Sequence, residues 1–233
     1  IINITIMETL SIEQLFTVDI EDYHNYNLKK KAYNNTDLTS SEDRKLFFKL
    51  RYIDNIIPKD IIKKIYNFCN NGLWQINHGS AKEETEKIQI YFFSLNVYNN
   101  IYFIELFYKL IIPVLDIPNK ENIIIDRAYV NGHHYGIPGN FHKDGRSCIK
   151  NSGPTIMVYI NYYWEPKWNG GTMFIIDEKN DTKEYLTIDF IPGRIVVFDP
   201  NISHCALDTS IYTKIEGITR MTLAYHTIYK NNC

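Results

Sequence analysis

The sequence predicts an α+β fold that is mainly β, in which helices come first and a barrel or sandwich of short strands follows. The first observation is that the first half of the chain alternates between strand and helix patterns. The second is that the other half consists of short runs rich in Ile, Val, Tyr and Thr, separated by turn signals such as Asn-Gly-Gly and Asp-Pro-Asn. Many short strands with such punctuation are typical of a sandwich or barrel. We therefore expect helices packed on the outside of one sheet.

The first half predicts strand, helix, strand and helix in turn. Residues 46–58 favour a strand that ends at Pro58, and residues 86–97 favour a second strand. Residues 99–112 favour a helix, and the apolar stretch 101–115 is interrupted by charges and a proline, which predicts a buried helix rather than a membrane span. The helix between the two strands has apolar residues at helical spacing and flanking helix signals. These residues are Ile61, Ile62, Ile65, Phe68 and Cys69, with Asp60 near the start and Asn71-Gly72 at the end.

The second half predicts seven short strands. They are residues 122–132, 155–164, 171–178, 185–190, 193–200, 203–208 and 219–230. The length of 233 residues is sufficient for one domain with a sizeable core. We expect residues 1–45 to form a partly irregular N-terminal extension and residues 46–233 to form a single domain, with its β core at about 122–230.

Composition argues against two classes of partner. The formal net charge is −2 and the sequence pI is about 6.4, so there is no basic excess for nucleic acid or an anionic membrane. Cys69, Cys148, Cys205 and Cys233 are widely spaced and form no metal-binding pair, which indicates free thiols. The N-terminus lacks a secretion-signal pattern. We therefore expect a cytoplasmic or other reducing compartment and no membrane partner.

A histidine and an aspartate separated by one residue form a candidate metal motif. Side chains two apart on a strand point to the same face, so His142 and Asp144 could bind one ion. His204, between a turn and a strand, offers a third ligand. Two histidines and one carboxylate suit non-haem Fe(II) and leave positions open, although Zn, Mn and Co accept the same ligands. His133 and His134 are rival ligands, and because they are adjacent only one of them could join the site.

An arginine lies inside a later apolar strand. Arg220 sits in the run GITRMTLAYH, and an unpaired buried charge is costly, so its guanidinium should meet an anion. A guanidinium can clamp a carboxylate with two hydrogen bonds. The sequence leaves open whether that carboxylate belongs to a ligand or to a nearby Asp or Glu.

These motifs together resemble the Fe(II)- and 2-oxoglutarate-dependent dioxygenases, particularly their prolyl 4-hydroxylase-like branch. The resemblance covers residues 122–230 and depends on the order of the motifs. In chain order they are RAYVNGHHYG, FHKDG, TIMVYINYYWEPKWNGGTMFI, IPGRIVVFDPNISHCALD and TRMTLAYH. The resemblance implies a double-stranded β-helix, also called a jelly roll, with N-terminal supporting helices. It also implies Fe(II), 2-oxoglutarate and O2 as cofactors, with ascorbate as a supporting reductant.

The resemblance also assigns roles to single residues. It implies that His142, Asp144 and His204 bind the metal and that Arg220 binds the distal carboxylate of 2-oxoglutarate. Tyr159 falls where hypoxia-type prolyl hydroxylases place a hydroxyl on the same carboxylate. The remaining matches are Tyr129, as a tyrosine lining the pocket; Arg194, as a structural residue; and Trp164, Trp168, Gly170 and Gly171, as an architectural turn.

The resemblance implies hydroxylation of a C–H bond, with a peptidyl proline as the favoured target. A small-molecule substrate such as a sugar or amino acid remains open, because the motifs do not distinguish it. Nucleic-acid demethylation of the AlkB type is disfavoured, since those enzymes carry a second arginine where this chain has His226. A non-catalytic cupin-like protein is also open, although it would not need Arg220. Polar residues 145–154 and 131–140 are expected to form rims of the site, and oligomeric state is not predicted.

Overall fold

Two antiparallel sheets face each other in the computed structural model, which describes residues 50–79, 90–145, 151–179 and 182–230. The larger sheet has seven strands in the order β1-β8-β5-β10-β4-β3-β2, and the smaller has three in the order β7-β6-β9. This arrangement is a double-stranded β-helix, so the predicted fold class is confirmed. The strands are β1 (Arg51–Ile53), β2 (Gln75–Gly79), β3 (Tyr91–Asn96), β4 (Ile123–His133), β5 (Ser152–Tyr159), β6 (Thr172–Lys179), β7 (Thr182–Ile188), β8 (Ile195–Phe198), β9 (His204–Ala206) and β10 (Arg220–Tyr229).

The helical segments are α1 (Lys59–Asn70), α2 (Ile101–Glu105), a π-helix (Leu106–Ile111), α3 (Ile211–Glu216) and 3-10 turns at Ile112–Val114, Lys120–Asn122 and Pro166–Trp168. Those between Lys59 and Val114 pack on the outer face of the larger sheet. Alternate residues of the central strands, such as Val130, Ile156 and Leu223, are fully buried in one cluster with Ile61 and Phe107. The expected packing of helices on one sheet is therefore present. None of the helices in the described ranges is long and apolar enough to cross a membrane.

The opposite face of the larger sheet points toward the smaller sheet and is built differently. Since side chains alternate along a strand, the neighbours of the apolar outer residues project inward. On β10 these inward residues include Arg220, Thr222 and His226, all less than a tenth exposed. A second apolar cluster, which includes Phe174 and Phe198, fills the rest of the space between the sheets. The interior of the barrel is therefore part apolar core and part polar cavity.

Several predicted elements differ from the observed ones in extent. Within the described part of the predicted strand 46–58, only Arg51–Ile53 is extended and paired, because Asn55 has a φ of 62° and breaks the strand. The predicted helix 99–112 begins at Ile101, after Asn100 as its N-cap, and becomes a π-helix at Leu106–Ile111, just before Pro113, which lacks a backbone N–H. The predicted strand 155–164 begins earlier and ends at Tyr159.

Two elements were not predicted, and some predictions lie outside the described residues. Strand β2 lacks apolar alternation, and α3 is only six residues long. The expected extension 1–45 and residues 146–150 of one expected rim are outside the described ranges. Cys69 and Cys205 are buried and form no disulfide, whereas Cys148 and Cys233 lie outside the described residues.

Candidate active site

The backbone brings the two predicted histidine ligands together as cross-strand partners. His142 and His204 form an isolated antiparallel bridge, in which each backbone N–H donates to the carbonyl of the other at 3.0 and 2.9 Å. Asp144 follows two residues later, and the next N–H, that of Gly145, donates to the Pro200 carbonyl at 2.8 Å. The segment 142–144 is thus not the continuous strand that the sequence suggested. Backbone hydrogen bonds at His142 and Gly145 nevertheless fix the path of the chain on both sides of Asp144. One ligand atom from each of the three side chains lies within 4.8 Å of the others.

The hydrogen bonds of both imidazoles leave one nitrogen lone pair directed into this cluster. Nδ1 of His142 lies 2.9 Å from the Asn140 carbonyl, and Nδ1 of His204 lies 3.1 Å from the Ile202 carbonyl. A carbonyl can only accept, so each Nδ1 carries the hydrogen and each Nε2 keeps its lone pair. Backbone carbonyls orient metal-binding histidines in this way in many proteins.

Three acceptors therefore converge without a hydrogen between them. The Nε2 atoms of His142 and His204 each lie 3.6 Å from a carboxylate oxygen of Asp144. Burial lowers the pKa of His204 to about 4 although Asp144 opposes the shift, so this imidazole is neutral at pH 7. Lone pairs that face a carboxylate repel one another unless a cation lies between them. The residues present therefore fit a divalent metal ion.

Asp144 is held as a carboxylate by its surroundings. Burial raises the pKa of Asp144, but the imidazoles of His226, His204 and His142 and a hydrogen bond from Thr155 together lower it below its usual range. The Thr155 hydroxyl donates to Oδ2 at 2.9 Å. This contact comes from β5, in the middle of the larger sheet, and fixes the carboxylate as an acceptor toward the cluster.

Arg220 is fully buried in the same cavity and has no carboxylate partner among the described residues. Its side chain lines a cavity of about 470 Å³ together with all three members of the cluster. Its Nε donates to the Gly170 carbonyl, and its Nη2 donates to the Gly171 carbonyl at 3.4 Å and to Thr172 Oγ1 at 3.1 Å. These hydrogen bonds use Nε and Nη2 of Arg220, and all three acceptors are neutral groups. Burial lowers its pKa only to about 10, so the guanidinium stays charged at neutral pH.

The turn before β6 supplies the carbonyls that hold Arg220. Gly170 has a φ of 80°, and a Cβ there would lie 3.2 Å from the Arg220 side chain. A Cβ on Gly171 would lie only 2.7 Å from the Ile188 carbonyl. Trp164 donates its indole N–H to the Asn169 carbonyl at 2.8 Å. These contacts support the architectural role that the sequence suggested for this turn, and they extend it to the placement of Arg220.

The two predicted tyrosines occupy different positions relative to the cavity. Tyr159 is fully buried, and its hydroxyl lies 2.9 Å from Thr172 Oγ1 and 3.2 Å from the Ile188 carbonyl. It therefore contacts the group that holds Arg220 rather than lining the cavity itself. Tyr129 does line the cavity, and its hydroxyl lies 2.7 Å from Nε2 of His226.

The rival residues are placed elsewhere. His133 lines the cavity, but its ring stacks on Phe92 with a centroid separation of 4.3 Å, and it is not part of the metal cluster. His134 is exposed. Arg194 forms two hydrogen bonds of 2.8 and 2.9 Å to the carboxylate of Asp54. It is thus a paired, structural arginine.

Sequence reasoning missed the residues that surround the cluster. Thr155 and Thr172 lie within a quoted motif but were given no role, and His226 was noted only because it is not an arginine. One signal was available for His226: it follows Arg220 by six residues on one strand, and even spacing places both side chains on the same face. Its partners on β4 could not be found this way, because they lie 97 and 99 residues away along the chain.

The fold is similar to those of solved oxygenases at low sequence identity. No protein-family sequence profile matches this chain, and no curated protein matches it by sequence. An oxidoreductase of the 2OG-Fe(II) oxygenase family from Burkholderia pseudomallei aligns with a TM-score of 0.56 and 8% identity, over 92% of this chain and 93% of that one. A prolyl hydroxylase from Trichoplax adhaerens, in complex with a hypoxia-inducible-factor peptide fragment, aligns with a TM-score of 0.53 and 14% identity, over 95% and 94%.

A third match contains a metal and an oxo acid. HygX from Streptomyces hygroscopicus, with nickel and 2-oxoglutarate bound, aligns with a TM-score of 0.54 and 9% identity, over 77% of this chain and 82% of that one. Identities this low establish likeness of fold alone. This chain therefore shares the jelly-roll fold of the Fe(II)- and 2-oxoglutarate-dependent oxygenases, including their prolyl hydroxylases.

Proposed function

We propose that this protein is an Fe(II)- and 2-oxoglutarate-dependent oxygenase that hydroxylates a C–H bond. One observation carries the proposal: a cluster of metal-ligand type and a buried, unpaired arginine line the same cavity. A dicarboxylate whose oxo-acid end binds a metal needs a cationic partner at its other end. His142, Asp144 and His204 would hold the metal, and Arg220 would hold the distal carboxylate.

The residues of the chain position these groups. Backbone carbonyls fix the His142 and His204 rings with Nε2 toward the metal position, and Thr155 orients Asp144. When bound, iron and 2-oxoglutarate supply the oxidising chemistry, which consumes O2 and yields succinate and CO2. Arg220 binds without rearrangement, because its guanidinium is already held by the turn before β6.

The two tyrosines have different roles in this proposal. Tyr159 supports the site of the distal carboxylate through Thr172, which accepts from Arg220 at 3.1 Å. Tyr129 contributes a hydroxyl to the cavity wall, on the same face of β4 as His133. Ascorbate would serve as a supporting reductant, as in related chemistry.

We further propose a peptidyl proline as the substrate. The support is the prolyl hydroxylase of Trichoplax, which aligns over 95% of this chain and was solved with a peptide. A small molecule is the second candidate, supported by the position of the cavity between two sheets. The proposal disfavours nucleic acid, because His226 rather than an arginine stands six residues after Arg220.

The cofactor proposal is tested by adding Fe(II) and 2-oxoglutarate to the protein without oxygen. We expect a visible charge-transfer band in the native protein and none in His142→Ala, with Arg194→Lys as a control that keeps the band. A folded, metal-loaded native protein without a band would refute the oxygenase proposal and favour a cupin-like binding protein.

The substrate proposal is tested separately, once the band is present. Proline-containing peptides and free L-proline are incubated with O2, and succinate and a mass gain of one oxygen are measured. Oxygen incorporation into peptides alone supports the peptidyl substrate. Incorporation into the free amino acid alone supports a small-molecule hydroxylase.

A further inference from the structure

A second cavity adjoins the metal cluster. It measures about 280 Å³ and shares three lining residues with the first cavity, the one that Arg220 lines: Asp144, Thr155 and His226. Asp126 and Arg127 of β4 line only the second cavity, and Arg220 lines only the first. Asp144 is the member of the metal cluster that faces both spaces. A molecule in the second cavity would therefore lie beside the metal position.

The larger sheet is irregular on both sides of β10 where the second cavity meets it. On β4, Arg127 pairs with His226 but Ile125 pairs with Thr227, so Asp126 is an additional residue without a partner in the ladder. The register of β5 against β10 also shifts immediately after His226. Bulges of this kind bend a strand, redirect its side chains and are frequent next to active sites.

The bulge on β4 places two charged side chains on the inner face of the sheet. Ile125 and Ala128 both belong to the apolar cluster beneath the helices, on the outer face. Because side chains along a strand alternate between faces, the two residues between these outer positions share the inner face. Asp126 and Arg127 are those residues, and both line the second cavity. One wall of this cavity thus carries opposite charges side by side.

Arg127 has no carboxylate partner among the described residues. Its Nη2 lies 3.2 Å from Nδ1 of His226, and its guanidinium carbon lies 5.8 Å from the centre of the Tyr129 ring. An imidazole is not an anion, and a ring contact at this distance is weak, so neither group balances the charge. The other nitrogens of Arg127 have no hydrogen-bond partner in the described ranges, and neither is there an ion pair with Asp126. The guanidinium therefore has a charge and donors to offer a ligand.

We propose that the second cavity binds the substrate and that Arg127 holds a carboxylate of the substrate there. The inference rests on the proposed function for the reaction, since the position beside Asp144 matters only if a metal binds there. Charge-assisted hydrogen bonds from a guanidinium to a carboxylate are short and strong. Asp126 on the same wall disfavours a doubly charged anion such as a phosphate, so a single carboxylate is the anion that fits. Both a free amino acid and an acidic residue beside the target proline of a peptide carry such a group.

The first test compares probes that differ in a carboxylate. One pair is L-proline and L-prolinamide, and the other is two capped peptides that carry Glu or Gln beside a proline. Isothermal titration calorimetry is carried out in an Arg220→Met background, which removes the unpaired guanidinium of the first cavity. The titrations are run without metal and with Zn(II), which has no redox chemistry and permits no turnover. We expect a carboxylate probe to bind about 10–100-fold more tightly than its amide counterpart.

The ratio within each pair isolates the role of Arg127, because a general disturbance of the fold would weaken both members alike. Arg127→Met should abolish the preference for the carboxylate, and Arg127→Lys should retain part of it, since lysine keeps the charge. A preference for L-proline identifies a free amino acid as the source of the carboxylate, and a preference for the Glu peptide identifies an acidic neighbour of the target proline. Equal binding within both pairs, or an unchanged preference in Arg127→Met, would overturn the inference.

Two controls separate the second cavity from the first and this inference from the proposed function. Arg51→Met removes an arginine of β1 whose carboxylate partner is Asp116, and it should keep the preference. With Arg220 intact, Arg127→Met should leave the Kd for 2-oxoglutarate within about threefold, because Arg127 does not line the first cavity. A loss as large as that in Arg220→Met would place Arg127 in the 2-oxoglutarate site and overturn the inference. If the native protein gives no charge-transfer band, the oxygenase proposal fails, while the metal-free titration still decides whether Arg127 binds a carboxylate.

Discussion

Two buried arginines of this barrel should respond in opposite ways to the same substitution. Arg220 and Arg194 are 1% and 7% exposed, respectively, but only Arg194 has a carboxylate partner among the described residues. Replacing Arg220 by Met removes an unpaired charge, so the metal-free protein should keep its stability or gain some. Replacing Arg194 by Met leaves Asp54 without its partner. We expect that change to lower the free energy of unfolding by about 2 kcal/mol, because the Asp54 side chain is 19% exposed and retains some hydration.

The effect on 2-oxoglutarate should be reversed. A hydrogen bond to a charged group contributes about 1.5–3 kcal/mol, and about 1.4 kcal/mol corresponds to a factor of ten in Kd. Arg220→Met should therefore raise the Kd for 2-oxoglutarate about 10–100-fold, while Arg194→Met should leave it within about twofold. Arg220→Lys should recover part of the loss, since it keeps a charge but not the planar fork.

Both quantities can be measured on the same protein preparations. Urea unfolding of the metal-free protein gives the free energy of unfolding, and anaerobic titration of the Fe(II)-loaded protein with 2-oxoglutarate gives the Kd. If Arg220→Met destabilises the metal-free protein as strongly as Arg194→Met and leaves the Kd unchanged, Arg220 is a structural residue. The assignment of the distal carboxylate would then be wrong.

Three further predictions follow from the same contacts. Gly171→Ala should weaken 2-oxoglutarate binding, because the new Cβ would lie 2.7 Å from the Ile188 carbonyl oxygen and shift the turn that holds Arg220. Titration of the charge-transfer band measures the Kd for 2-oxoglutarate, and an unchanged Kd would contradict this prediction. Tyr159→Phe should raise the same Kd only about threefold, since its hydroxyl is bonded within the wall, and a tenfold rise would indicate direct contact with the ligand. Burial lowers the pKa of His133 to about 3 from 6.5, so as pH falls from 7 to 5 the unfolded state takes up the proton first and this residue alone should lower the stability by about 2 kcal/mol. Burial also lowers the pKa values of His204 and His226 to about 4, so His133→Gln should reduce the pH dependence seen in urea unfolding by about 2 kcal/mol without abolishing it.

The sequence was sufficient for those features that depend on local pattern or on motif order. The short strands of the second half, α1 and the cluster of His142, Asp144 and His204 were all predicted. Arg220 was also predicted to lie within an apolar strand, and it is buried on β10. These features can be predicted because strand periodicity and the spacing within each motif depend on residues that are close together in the sequence.

The remaining features depend on contacts between distant segments. Nothing near Arg220 in the sequence indicates that carbonyls of Gly170 and Gly171 would hold it. The resemblance implied a ligand contact for the Tyr159 hydroxyl, and the contact that the sequence did not indicate is the one with Thr172 Oγ1. Such details depend on register across the two sheets, which a short motif does not specify.

The inward face of β10 shows why the polar interior indicates a ligand rather than a structural network. Burying Arg220, Thr222 and His226 between two sheets costs free energy that apolar residues at the same positions would avoid. Arg194 recovers that cost within the chain, through Asp54. The metal cluster does not offset this cost within the described residues, because the Nε2 lone pairs of its imidazoles face the carboxylate of Asp144. Arg220 does not offset it either, because its charged guanidinium contacts only neutral groups there. A metal ion and a dianionic ligand would satisfy both ends at once, so ligand binding should stabilise the fold more than any single internal substitution of this cavity could.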